Sequence, residues 1–237
     1  MKVQLFKSED RGHANHGWLD ARHSFSFANY YDPKKVNFGA LRVLNDDTIA
    51  AGAGFPEHPH DNMEIITIPL SGMIAHKDSM GNQSVIKAGE IQVMSAGSGI
   101  FHSEFNNSSD EELKLFQIWL FPKVKNVEPR YDQISISTLE KKNELFQILS
   151  PNKDDDGVWI HQDAWFNMGN FEAGKNATYN LNNKTSGVYL MLIEGEIKVA
   201  DHTLTTRDAI GITEAESIDI ETKSSAKLLL MEIPMNY

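Results

Sequence analysis

Two short stretches of the chain carry residues that could hold a metal ion. In Gly54 to Ile65, GFPEHPHDNMEI, two histidines stand two residues apart and a carboxylate follows four residues after the second. Side chains of an extended strand alternate faces, so His58 and His60 point the same way, about 7 Å apart along the backbone, and both imidazoles can converge on one ion. Pro59 takes the opposite face; its fixed φ and missing N–H suit an edge or a bend and stiffen the pair. An isolated His-x-His also fits a solvated polar strand and decides nothing alone. The second stretch, Gly97 to Phe105, GSGIFHSEF, repeats the pattern: His102 and Glu104 share one face, and Phe101, Ser103 and Phe105 take the other.

Set on facing strands, the two pairs would gather three neutral imidazoles and one carboxylate around a point. That donor set is too rich in nitrogen for Mg or Ca and suits a divalent transition metal. Six-coordinate iron held this way keeps two positions for a substrate oxygen and dioxygen. Glu64 shares parity with His58 and His60 if the strand runs unbroken, so it competes with Glu104 for the fourth place. Parity does not choose between them. Glu104 is the simpler geometry because it and His102 come from one short strand; Glu64 could instead orient a ligand imidazole or act as a base.

The elements that must position these residues are strands. Short apolar runs closed by turn residues recur along the chain, as in an all-β sandwich or barrel. Phe38 to Leu44 ends at Asn45-Asp46-Asp47, Glu64 to Leu70 ends at Ser71-Gly72, and Gly81-Asn82 between two apolar runs is a hairpin signal. Leu115 to Phe121 alternates so as to bury one face. Pro122 to Pro151, rich in Lys, Asn, Glu and Gln, reads as a crossing linker with one or two short strands or a helical turn, and the domain boundary is placed near Tyr131-Asp132. Beyond it, Val188 to Val199 repeats the strand, Gly, strand pattern of Ile65 to His76, and Thr206 to Ile212 resembles Lys87 to Val93. A weak repeat of this length suggests a duplicated domain. The second half has only His161 and His202 and no His-x-His, so one half is expected to carry the chemistry and the other structure alone.

Composition excludes other classes. Lys and Arg number 22 against 33 Asp and Glu, for a formal net charge of −11, and the basic residues are scattered, which argues against a direct grip on nucleic acid. There is no cysteine, so any metal must be held by His and carboxylate. The N-terminal segment has no signal-like apolar core and no run reaches membrane-spanning length, giving the expectation of a soluble, cytoplasmic protein. Asp154-Asp155-Asp156 lacks EF-hand spacing and reads as a solvated turn. No phosphate-binding loop or nucleophile elbow is present. His23 lies among Phe25, Phe27, Tyr30 and Tyr31, which either flank a pocket mouth or seal one end of a barrel. His76 reads as a surface histidine or one supporting a ligand, and His13 and His16 as exposed.

At this point the residues resemble a known family. Gly52, His58, His60 and Glu64 are spaced as in the first motif of the cupin superfamily, and Gly89 through His102 to Asn106 resembles the second. Seven residues separate Glu64 from Gly72, four separate Gly97 from His102, and Ser95 stands where Pro is usual. Those departures resemble one branch, the pirins, as do Arg22 to Pro33, HPHDNMEI (58 to 65), HKDSMGN (76 to 82) and MSAGSGIFHSEFN (94 to 106). The resemblance covers the N-terminal half strongly and the C-terminal half more loosely.

It implies an all-β bicupin, two β-barrel domains in tandem: residues 1–132 a metal-binding cupin, residues 133–237 a degenerate cupin without metal ligands. It implies a single metal held by His58, His60, His102 and Glu104, Fe(II) first, with Cu, Ni, Co, Mn or Zn as alternatives. The implied activity is that of a quercetin 2,3-dioxygenase, acting on a planar flavonol and O2, with Glu104 or Glu64 as proton acceptor. The competing expectation is a metal-binding, redox-sensing regulatory module acting through protein partners, which would use the same four ligands without turnover.

Overall fold

The computed structural model describes residues 1–237 and is built of strands, with one turn of 3-10 helix at Ser8–Asp10. In chain order the first strands are β1 (Lys2–Phe6), β2 (Gly12–Asn15), β3 (Leu19–His23), β4 (Leu41–Ile49), β5 (Gly54–His60), β6 (Glu64–Ser71), β7 (Met73–Asp78), β8 (Gln83–Lys87), β9 (Glu90–Ser95), β10 (Ile100–Asn106), β11 (Leu113–Leu120) and β12 (Arg130–Ser135). There follow β13 (Leu145–Ser150), β14 (Val158–Trp159), β15 (Trp165–Phe171), β16 (Asn176–Asn180), β17 (Ser186–Glu194), β18 (Glu196–Val199), β19 (His202–Thr205), β20 (Ala209–Thr213), β21 (Ser217–Thr222) and β22 (Ala226–Pro234). No helix is long and apolar enough to cross a membrane.

Each half is a seven-stranded sheet facing a four-stranded one. The first half has the orders β12-β9-β6-β11-β4-β3-β2 and β5-β10-β7-β8; the second has β1-β20-β17-β22-β15-β13-β14 and β16-β21-β18-β19. Laid side by side, the orders correspond for the inner strands of the large sheets and for all four strands of the small ones, which gives the internal repeat its structural basis. The hairpin expected at Gly81-Asn82 joins β7 to β8, with Gly81 at φ 96°, where a side chain would be strained. The fold is the expected all-β bicupin.

One edge strand crosses between the halves. β1, the first strand of the chain, pairs with β20 of the second half, whereas β12 pairs through all six of its residues with β9 of the first. The expected boundary at 132/133 falls inside β12. Turn residues mark where a chain pauses, but nothing local in Lys2–Phe6 states that its partner lies some 200 residues away.

Burial separates the two barrels. A cluster of 29 buried residues, among them Phe6, Phe25, Ile66, Phe116, Phe166, Tyr189 and Met231, lies between the backs of the two large sheets and joins the halves. The second barrel is filled by 15 buried apolar residues, with Tyr179, Ile218 and Ile220 inside. The first barrel has no such filling. Its apolar residues form two groups, seven around Ile49, Ile74 and Leu113 and four around Ile65, Met94 and Ile100. Polar side chains occupy the space between, and there the candidate site lies.

Candidate metal centre

Strands β5 and β10 run antiparallel and set His58 directly opposite His102 and His60 opposite Ile100. The two motifs therefore sit on neighbouring strands of one sheet, closer than the facing strands expected. Between His102 and Glu104 the register shifts because β5 carries one extra residue, and β10 continues regularly against β7 with His102 opposite Asp78 and Glu104 opposite His76. Alternation turns His102 and Glu104 inward, at 1% and 3% exposure, and leaves Phe101 and Phe105 outside.

The three imidazoles converge. Ring centroids are 4.4 Å apart for His58 and His102, and 4.9 Å for both His58 with His60 and His60 with His102. One nitrogen from each lies within 4.8 Å of the others. His76, His102 and Glu104 form a second group of the same tightness, so His102 is shared between two overlapping triplets. His60 Nε2, both nitrogens of His102 and His76 Nδ1 are buried with no hydrogen-bond partner. Buried polar atoms are almost always paired, and an ion where the three rings converge would complete His60 Nε2 and one nitrogen of His102. His58 is prepared by its backbone: its Nδ1 lies 2.8 Å from the Pro56 carbonyl, to which only an N–H can donate, leaving Nε2 with its lone pair.

Electrostatics favour neutral imidazoles. Burial, then the charges of His58, His60 and His76, pushes His102 down to about 2; burial, then His58, pushes His60 down to about 4. Burial raises Glu104 to about 7, against the opposing hydrogen bonds from Gln117 and Thr67. Gln117 Nε2 donates to Glu104 Oε2 at 3.1 Å and Thr67 Oγ1 donates to Oε1 at 3.3 Å. These donors belong to a polar row across the large sheet, in which register places His23 beside Asn45, Asn45 beside Gln117, Gln117 beside Thr67 and Thr67 beside Gln92.

Glu64 does not join the cluster, a correction to the parity argument. That argument needs one unbroken strand from His58 to Glu64. Instead the chain turns at Asp61-Asn62-Met63, with Asn62 at φ 46°, and passes from the small sheet to the large one. Glu64, 1% exposed, accepts a hydrogen bond from Ser95 Oγ at 2.6 Å and faces the His161 backbone and the Arg130 guanidinium.

His76 is buried at 3% exposure, its ring 5.3 Å from that of His102 and its Nε2 3.4 Å from Asp78 Oδ2. The sequence signal for it was its parity with Asp78 on a strand that could pair with the His-x-Glu strand. The aromatic run divides: His23 and Phe27 line the cavity at the site, Phe25 lies in the core between the halves, and Tyr31 is exposed. His13, His16 and Asp154 to Asp156 are exposed as expected.

A cavity of about 400 Å³ opens beside the imidazoles, lined by His58, Glu104, Gln117 and Trp119 and by apolar Leu19, Ala21, Phe27 and Phe55. Its size and mostly apolar wall with a few convergent polar groups are those of a small-molecule site.

Comparison with known proteins agrees with this geometry. Residues 6–120 match the family model described as Pirin, and residues 147–233 match the one described as Quercetinase C-terminal cupin domain. The chain is 41% identical over 232 residues to a protein of Escherichia coli (strain K12) named quercetin 2,3-dioxygenase, covering 98% of this chain and 99% of that one. It is 42% identical over 222 residues to a pirin-like protein of Caulobacter vibrioides, covering 93% and 95%. The crystal structure of YhhW from Escherichia coli superposes with a TM-score of 0.94 at 40% identity over the whole of both chains. The same bacterial pirin in complex with nickel(II) gives 0.93 at 40% identity, over 98% of this chain and 99% of that one. The fold is that of a bicupin. The chain belongs to the pirin family.

Proposed function

We propose that the protein is a mononuclear metal-dependent dioxygenase that cleaves a flavonol such as quercetin at the 2,3 position with O2. One flavonol and one O2 give one depside and one carbon monoxide. His58, His60, His102 and Glu104 would hold one divalent ion, which we assign as Fe(II); the nickel(II) complex of a bacterial pirin supports a divalent ion of this series in the fold. When bound, the ion supplies Lewis acidity and a common anchor for substrate and oxidant.

The chain's own residues supply the rest. Pro56 and the β5–β10 pairing hold the imidazoles, and burial keeps His60 and His102 neutral at every pH at which the protein would work. Gln117 and Thr67 orient Glu104. Glu104, buried in the cavity wall, would take the flavonol hydroxyl proton and return it to the product. Phe27, Phe55 and Trp119 offer flat apolar contact to a planar ring system. The second barrel, with its interior filled by apolar side chains, serves in this reading as a structural partner.

The observation that carries the reading is the convergence of three imidazoles, His60 and His102 with buried unpaired nitrogens and His58 in the wall of an apolar cavity. Quercetin is added anaerobically to metal-loaded protein and air is then admitted. Loss of flavonol absorbance in proportion to protein, abolished in His58→Ala, supports it. A rate no greater for the wild type than for His58→Ala overturns the enzyme reading.

A further inference from the structure

Two side chains of the cavity wall carry a buried polar atom without a partner: the donor Trp119 Nε1 and the acceptor Asp47 Oδ1. Asp47 lies on β4 between Ala21 of β3 and Leu115 of β11. It is 4% exposed, it lines the cavity, and its Oδ1 is buried without a hydrogen bond. Its neighbours are engaged. Asn45 Oδ1 lies 2.8 Å from His23 Nδ1, and Gln117 donates to Glu104. Asp46, on the opposite face of β4, pairs with Arg207 at 3.1 Å and Arg11 at 3.5 Å. Asp47 belongs to neither histidine cluster, so metal ligation does not explain it.

A buried carboxyl oxygen with nothing bound to it destabilises the empty protein, and such a group persists where a ligand completes it. The apolar part of the wall does not distinguish one flavonoid from another. Leu19, Ala21, Phe27, Phe55 and Trp119 give apolar and aromatic contact to any planar ring system. A pocket discriminates strongly between hydroxylated and unsubstituted ligands when it holds a polar group that only the hydroxylated one satisfies.

We propose that Asp47 determines substrate specificity by accepting a hydrogen bond from a phenolic hydroxyl other than the one at the reacting carbon, so that polyhydroxylated flavonols are selected over those bearing the reacting hydroxyl alone. The proposal rests on the flavonol reading of the site.

Quercetin and 3-hydroxyflavone, which keeps the reacting hydroxyl and lacks the others, are compared on the metal-loaded full chain as wild type, Asp47→Ala and Asp47→Asn. Anaerobic Kd is read by fluorescence quenching and kcat/KM by absorbance in air. The wild type should prefer quercetin by roughly tenfold or more. Asp47→Ala should reduce that preference to about threefold or less, and Asp47→Asn, which keeps an acceptor oxygen, should restore most of it. Asp47→Leu, close in volume and without an acceptor, gives the same reading should the alanine variant fail to fold. A merely structural role would weaken both flavonols alike; an unchanged ratio in the alanine and leucine variants, or no preference in the wild type, overturns the proposal. The Kd arm separates the two ideas. Selective binding without O2-dependent loss of flavonol rejects the dioxygenase and leaves Asp47 as the selector, whereas turnover with a ratio indifferent to Asp47 does the reverse.

Discussion

Replacing Glu104 by Gln should make the metal-free protein more stable while making it a poorer metal binder. Glu104 is buried at 3% exposure, and burial raises its carboxyl from 4.5 to about 7. Below about pH 4.5 the folded and unfolded chains both hold the proton, and the group costs nothing. Between 4.5 and 7 the unfolded chain ionises while the folded chain keeps its proton, so stability falls as pH rises; above 7 the full penalty is present. At about 1.4 kcal/mol for each tenfold change in acidity, the rise amounts to about 3 kcal/mol. Gln is isosteric, retains an acceptor for Gln117 and Thr67, and carries no charge to bury. Urea unfolding of wild type and Glu104→Gln with a strong chelator present, at pH 4.5 and pH 8, reads the effect. The variant should gain about 3 kcal/mol over the wild type on going from the lower pH to the higher. A difference that does not change with pH, or a variant that loses ground at pH 8, would refute the reasoning.

Three further outcomes follow from the same geometry. Gln117→Leu removes the donor 3.1 Å from Glu104 Oε2 and should weaken metal affinity about 10- to 100-fold in a chelator competition; unchanged affinity would show that the hydrogen bond orients nothing of consequence. Glu64→Ala should retain the metal because its carboxyl is engaged by Ser95, whereas Glu104→Ala should lose it; the reverse would return the fourth position to Glu64. Phe6→Ala removes a ring 5.0 Å from Tyr189 and 5.8 Å from Phe25 in the core between the halves, and should cost about 3–5 kcal/mol in urea unfolding, a loss below about 1 kcal/mol being contrary to that packing.

Much of the site was legible because period-two alternation is local. His58 with His60, and His102 with Glu104, had to share faces whatever the rest of the chain did, and the absence of cysteine left only imidazole and carboxylate as ligands. What failed was extrapolation across a turn. Asn62 at φ 46° sends Glu64 into the other sheet, and alternation has no meaning across that break. What was invisible was pairing. His76 is buried beside Glu104 because β7 pairs with β10, and β1 completes the second barrel because it pairs with β20. Neither strand carries a mark of its partner. Asp47 was read as the end of a turn, whereas it lies inside a nine-residue strand, facing the cavity.

The central claim is that three imidazoles and Glu104 hold one metal ion in the first barrel. Elemental analysis of full-length protein purified without added metal, alongside His102→Ala shown by circular dichroism to be folded, tests it most directly. The account predicts about one divalent transition-metal ion per wild-type chain and essentially none in the variant, because His102 belongs to both triplets. Stoichiometric metal retained in His102→Ala, or a wild type that takes up none even when metal is supplied, would contradict it.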